Sequence, residues 1–139
     1  MIGKREEEYI EAIYSVVEDK GYAKVTDVSK ELEVGLPAVT EMFQRLDDKG
    51  YINYTKYSGV TLTTEGEQIA HKLCEKHEVL RDFLVILGLD EGIADEDACK
   101  IEHIVEPETI EILNEFVDFI RESEEPPWLE DFRKYRKKD

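Results

Sequence analysis

Cysteine is scarce, with only Cys74 and Cys99 in 139 residues, too few and too scattered to form a disulfide framework. No apolar run approaches the ~20 residues that a membrane-crossing helix needs. The opening stretch, Met1-Ile2-Gly3-Lys4-Arg5-Glu6-Glu7-Glu8, lacks the apolar segment of a secretion signal. These absences predict a protein of the reducing cytoplasm with no membrane partner. There is no HExxH pair, Gly-rich phosphate loop or nucleophile constellation, so neither an enzyme nor a small organic substrate is expected. Positive charge is short too. Lys and Arg number 18 against 34 Asp and Glu, a formal net charge of −16. Such a chain repels nucleic acid unless its charge is unevenly placed or is neutralised by bound cations. The placement is uneven: residues 22–60 hold five Lys/Arg and six Asp/Glu, so nearly all of the acidic excess falls on the flanks.

What the chain does have is periodicity, with 41% hydrophobic residues, enough for a packed core. Tyr9, Ile10, Ile13, Tyr14 and Val17 form the stripe of an amphipathic helix over residues 6–18. Thr26 is the predicted N-cap of a short helix to Leu32. A turn through Glu33, Val34 and Gly35 follows, then a second helix over residues 36–49 with Pro37 in its first turn. After Gly50 the period falls to two, predicting strands at residues 51–54 and 59–62. Residues 64–67, Thr-Glu-Gly-Glu, match a capping box that opens a long helix. Residues 83–89 are apolar nearly all round, which suggests burial against a partner. Further helices are expected at residues 95–105 and 108–121, and a short one from Trp128.

Helix, three-residue turn, helix and hairpin, in that order, make a winged helix-turn-helix. Ala38, Thr40, Gln44, Arg45 and Lys49 lie on the exposed side of the second helix. Gln and Thr can bond base edges or phosphates, Ala can meet a thymine methyl, and Arg and Lys can reach phosphates. Lys56, Tyr57 and Ser58 at the hairpin tip, with Thr26 and Pro37 at the two helix starts, complete the predicted DNA contacts. Glu41 on the same side favours an ordinary solvated surface instead.

Cys99, Glu102 and His103 are spaced i, i+3 and i+4, which on a helix gathers a thiol, a carboxylate and an imidazole on one face. The bland alternative is a salt-bridged surface with a small buried cysteine. Glu8 and Glu11 form a carboxylate pair on the first helix, and His77 sits on the long helix. A metal site assembled from distant segments ties those segments together when it closes.

The chain resembles the DtxR/MntR family of metal-dependent transcriptional repressors. The likeness is carried by Glu8-Tyr9-Ile10-Glu11 with Ile13-Tyr14, Val39-Thr40, Leu62-Thr63 leading to Gly66, Lys76-His77-Glu78, and Ala98-Cys99-Lys100-Ile101-Glu102-His103. It implies a mainly α protein: a winged helix-turn-helix domain over residues 1–71, then an all-helical dimerisation and metal-sensing domain over residues 72–139. The SH3-like third domain common in the iron branch is not expected. The resemblance also implies that Glu8, Cys99, Glu102 and His103 surround one metal, while Glu11 and His77, sharing Glu102, supply a second. The iron branch shares Cys99 but has Met in place of Glu8. The manganese branch has Asp there and Glu in place of Cys99, so this chain is a hybrid. The ancillary Glu and His of the iron branch correspond to Arg81 and Asp95. Fe2+ is the first expectation and Mn2+ the second, with Zn2+, Co2+ or Ni2+ able to bind in vitro. The expected function is metal-dependent repression of metal homeostasis genes by a homodimer on a palindromic operator. A winged-helix regulator answering to thiol oxidation or an organic ligand is the alternative.

Overall fold

Among the described residues 2–137 of this computed structural model, the chain forms seven helices and one hairpin. In order they are α1 (Lys4–Lys20), α2 (Val25–Leu32), α3 (Leu36–Asp48), β1 (Ile52–Thr55), β2 (Gly59–Leu62), α4 (Thr64–Ile86), α5 (Glu91–Ile101), α6 (Pro107–Glu122) and α7 (Pro127–Arg136). None of these helices is long and apolar enough to cross a membrane. Two compact units divide the chain, Met1–Leu73 and Cys74–Asp139.

The first unit is a winged helix-turn-helix. Its core brings together Tyr9, Ile10 and Ile13 of α1, Val28 of α2, Val39, Phe43 and Leu46 of α3, and Ile52 and Val60 of the hairpin. The strands pair antiparallel, with Ile52 opposite Leu62 and Thr55 opposite Gly59. A single bridge from Ala23 to Val60 attaches the α1–α2 connection to the hairpin. Gly59 permits this: its φ is +86°, and a Cβ there would lie 2.9 Å from the Ala23 carbonyl oxygen. Gly66 is needed for another close approach, because a Cβ on it would stand 2.0 Å from the Tyr51 carbonyl oxygen.

Two caps differ from the sequence expectation. α2 starts at Val25, so Thr26 lies inside its first turn, and the Asp27 carboxylate accepts the Lys24 N–H (2.9 Å). At α4 the capping hydroxyl belongs to Thr63, which accepts the Gly66 N–H (3.1 Å) and donates to the Gly50 carbonyl (2.7 Å). In both cases a neighbouring side chain reaches the open N–H groups first.

In the second unit α5 begins four residues earlier than expected. Asp90 accepts the N–H groups of Gly92 and Ile93 (3.0 and 3.3 Å) and so fixes an earlier start. Ile101 is its last helical residue, and the cap N–H of Glu102 bonds the Ala98 carbonyl. Two arginines of α7 have partners on the end of α4. Arg133 donates twice to the Ile86 carbonyl (2.9 and 3.1 Å) and Arg136 donates to that of Leu87 (3.4 Å), capping the end of α4. Trp128 meets Phe116 at a tilt, with ring centres 6.3 Å apart.

Candidate metal centre and DNA-reading surface

The residues predicted to contact DNA all lie in the first unit. Thr26, Pro37, Ala38, Thr40, Gln44, Arg45, Lys49, Lys56, Tyr57 and Ser58 are all exposed. α3 can present its polar side because Val39, Met42, Phe43 and Leu46 are spent on the core. Thr26, Thr40, Lys56 and Tyr57, with Lys24 and Tyr54, line a cleft of about 380 Å³ between the hairpin and the two helices. Tyr57 holds φ +74° at the hairpin tip and is 91% exposed, with the Lys56 ammonium 5.3 Å from its ring centre. A left-handed tyrosine with no packing duty is the sort of strained residue that clusters at ligand-contacting sites.

Two of the predicted contacts already have other partners. Lys49 reaches back to Glu6 at 2.8 and 3.0 Å. Burial pushes the Glu6 carboxyl up, but the Lys49 hydrogen bond, the Gly3 N–H and the nearby charges of Lys49 and Arg45 outweigh it and hold it below its ordinary value. Gln44 donates to Asp48 (3.1 Å). To contact DNA, either side chain exchanges an intramolecular partner for a phosphate or base.

The metal-ligand candidates fall into two sets. Glu8 and Glu11 are half-buried on α1, and Glu8 pairs with Arg5 at 3.1 Å. His77, Cys99, Glu102 and His103 belong to the second unit. There Glu102 is fully buried and its carboxylate lies between two imidazoles. Oε2 is 3.0 Å from His77 Nδ1, and Oε1 is 3.5 Å from His103 Nε2. Cys99 is exposed. The expected single helical face is therefore corrected: α5 ends before His103, which lies in the following turn, and Cys99 and Glu102 differ completely in burial.

Donor atoms 3.0–3.5 Å apart have the spacing of neighbouring ligands on one ion with bonds of ~2.1 Å, and imidazole with carboxylate is a set that divalent first-row metals accept. The residues fit a metal. Sequence reasoning named Asp95 only as standing in place of an ancillary histidine and missed its contact with His77, Oδ1 lying 2.7 Å from Nε2. A signal existed: Asp95, Cys99 and Glu102 are spaced i, i+4 and i+7.

Comparison with known proteins agrees with this division of labour. A family described as "Iron dependent repressor, N-terminal DNA binding domain" matches residues 1–60. Another, "Iron dependent repressor, metal binding and dimerisation domain", matches residues 63–126. The HTH-type transcriptional regulator MntR of Shouchella clausii (strain KSM-K16) is 36% identical over 133 residues, 96% of this chain and 92% of that protein. The chain belongs to the DtxR/MntR family. The MntR of Bacillus pumilus (strain SAFR-032) is 42% identical over 119 residues, 86% of this chain and 83% of its own length. Among solved family structures, the metal-dependent transcriptional regulator MtsR aligns with TM-score 0.74 and 29% identity. The alignment covers 82% of this chain and 54% of that one. The manganese regulator SloR aligns with TM-score 0.71 and 28% identity, over 86% and 55%. As a family member the protein is a metal-dependent transcriptional repressor with DNA and a second copy of itself as partners.

Proposed function

We propose that Mn2+ is the first-choice effector and Fe2+ the second, with the repressor controlling metal homeostasis genes from a palindromic operator. This reverses the order expected from the hybrid ligand set; two relatives carry the name MntR and a similar solved protein is a manganese regulator. The observation that carries the metal reading is the buried Glu102 carboxylate with an imidazole on each oxygen. The ligands are drawn from Glu8 and Glu11 on α1 and from His77, Cys99, Glu102 and His103. A bound divalent ion supplies two positive charges to a strongly acidic chain and links the segments that carry its ligands. Residues 1–71 then read DNA, through Thr26, Pro37, Ala38, Thr40, Gln44 and Arg45 on the helices and Lys56, Tyr57 and Ser58 on the wing. Residues 72–139 pair the two copies so that their reading helices meet successive major grooves. Lys49 joins the phosphate contacts on leaving Glu6.

Coupling of only ~1.4 kcal/mol between metal and DNA changes operator affinity tenfold. The test is a DNA-binding titration of the full chain with chelator, Mn2+ and Fe2+, repeated with Glu102→Gln and His103→Ala. Mn2+ is expected to raise affinity at least tenfold in the native chain and not in either variant. Equal affinity under all three conditions overturns the proposal.

A further inference from the structure

We infer that Asp95 is a positioning residue for the metal centre: it holds the Nε2 side of His77, leaving Nδ1 turned toward Glu102. The inference rests on the reading of His77 and Glu102 as ligands. His77 stands on α4 with its ring between two carboxylates, Asp95 Oδ1 2.7 Å from Nε2 and Glu102 Oε2 3.0 Å from Nδ1. A neutral imidazole has one N–H, and a carboxylate only accepts. With that N–H donated to Asp95, the Nδ1 lone pair faces the Glu102 carboxylate, the state in which both can ligate one cation. The nitrogen and oxygen are already spaced as neighbouring ligands of one ion.

Asp95 lies across the ring from that point, so it acts through His77. A carboxylate on the far nitrogen of a ligating histidine fixes the tautomer and ring orientation and makes the other nitrogen more basic. The arrangement follows from the fold. Asp95 and Glu102 are seven residues apart along α5 and its cap, on one side of the helix, and the ring from α4 reaches both. The Asp95 side chain is 58% exposed while that of Glu102 is fully buried, so removing the Asp95 carboxylate leaves no buried partner group to destabilise the fold.

The test uses the full chain with Co2+ as a spectroscopic probe and Mn2+ for affinity, in Asp95→Ala, Asp95→Asn and His77→Ala. Thermal melts without metal serve as a folding control. Outer-shell partners of metal ligands typically carry a 10–100-fold effect. Given the exposure of Asp95, its alanine variant is expected to bind both ions about tenfold more weakly. Its Co2+ absorption bands stay in place because the ligand set is intact. Asp95→Asn, whose amide oxygen still accepts the Nε2 proton, recovers most of the affinity, and both variants melt like the native chain.

Native affinity in Asp95→Ala beside a weakened His77→Ala overturns the positioning role and leaves the ligand reading standing. Shifted Co2+ bands in Asp95→Ala make Asp95 a ligand and overturn the inference, as does an Asp95→Asn no better than alanine. His77→Ala binding like the native chain overturns the ligand reading itself, and this inference with it.

Discussion

In the N-terminal unit Ile10, Ile13, Val28, Val39, Phe43, Leu46 and Val60 have no solvent exposure, whereas Ile104, Ile112 and Phe119 of the C-terminal unit are 55–73% exposed. The first unit draws its core from α1, α2, α3 and the hairpin and is complete within one copy. The second has fewer buried side chains, Leu80, Ala94, Ala98, Val117, Ile120 and Leu129 among them, and carries most of the exposed large apolar residues. Leaving such side chains in water forgoes roughly 1.5–3 kcal/mol each relative to full burial. The second unit matches the family's metal-binding and dimerisation domain, so its exposed apolar face is the expected surface for a second copy.

The largest expected effect comes from breaking the complete core. Phe43 is fully buried and meets Tyr54 edge-on at 5.6 Å. Phe43→Ala is expected to cost the N-terminal unit about 3–5 kcal/mol, a large part of a typical domain's stability. The lone tryptophan, Trp128, belongs to the other unit. Its fluorescence transition in denaturant should stay in place while the far-UV circular dichroism acquires an early phase. If both signals shift together, the units unfold as one body and the contrast between them is wrong.

The apolar face of the second unit is the next target. Ile112 and Phe119 are seven residues apart on α6 and both exposed, hence on one side of the helix. Exchanging both for Glu puts four like charges into a symmetric interface. The loss is expected at about 2 kcal/mol of dimer stability, a roughly 30-fold rise in the dissociation constant by sedimentation equilibrium. The monomer's melt changes little. An unaltered dissociation constant would assign this face to something other than the dimer.

Much of the first unit was legible because its signals are local. A stripe at i, i+3 and i+4, a Gly-containing turn and a change of period each need only a few neighbouring residues, and α1, α3 and the hairpin follow them to within two residues. The metal candidates were legible as residue types and less so as geometry. Asp90 starts α5 early, the helix stops at Ile101 so that His103 lies in the turn beyond it, and sequence spacing carries no sign that Glu102 would be buried while Cys99 is exposed. Asp95 meeting His77 depends on side chains of α4 and α5 coming together from 18 residues apart in sequence. The same holds for Lys49, which looks like an ordinary DNA-facing cation until α1 brings Glu6 to it from 43 residues away.

That last pair gives the smallest effect and one particular to the N-terminal unit. The Glu6 carboxyl is held below its ordinary 4.5 despite burial. Asp27, bonded by the Lys24 N–H and then by Lys20, is held below 3.8. A depressed carboxyl means that the unfolded chain binds more protons in this range, so the stabilisation is complete above the unfolded values and is lost as pH falls through the folded ones. Lys20, raised by its hydrogen bond to Asp27, behaves oppositely: its share is present below 10.5 and lost as pH rises past the folded value. The N-terminal unit should therefore weaken between about pH 5 and pH 3, and Glu6→Gln should flatten that slope by roughly 1 kcal/mol. Denaturant midpoints at a series of pH values measure it. Lys49, released from Glu6, becomes available to phosphate, so Glu6→Gln should also bind DNA slightly more tightly at low salt and lose that gain as salt rises. A variant with the flatter slope but unchanged DNA affinity would keep Lys49 as a structural partner of α1 and remove it from the reading surface.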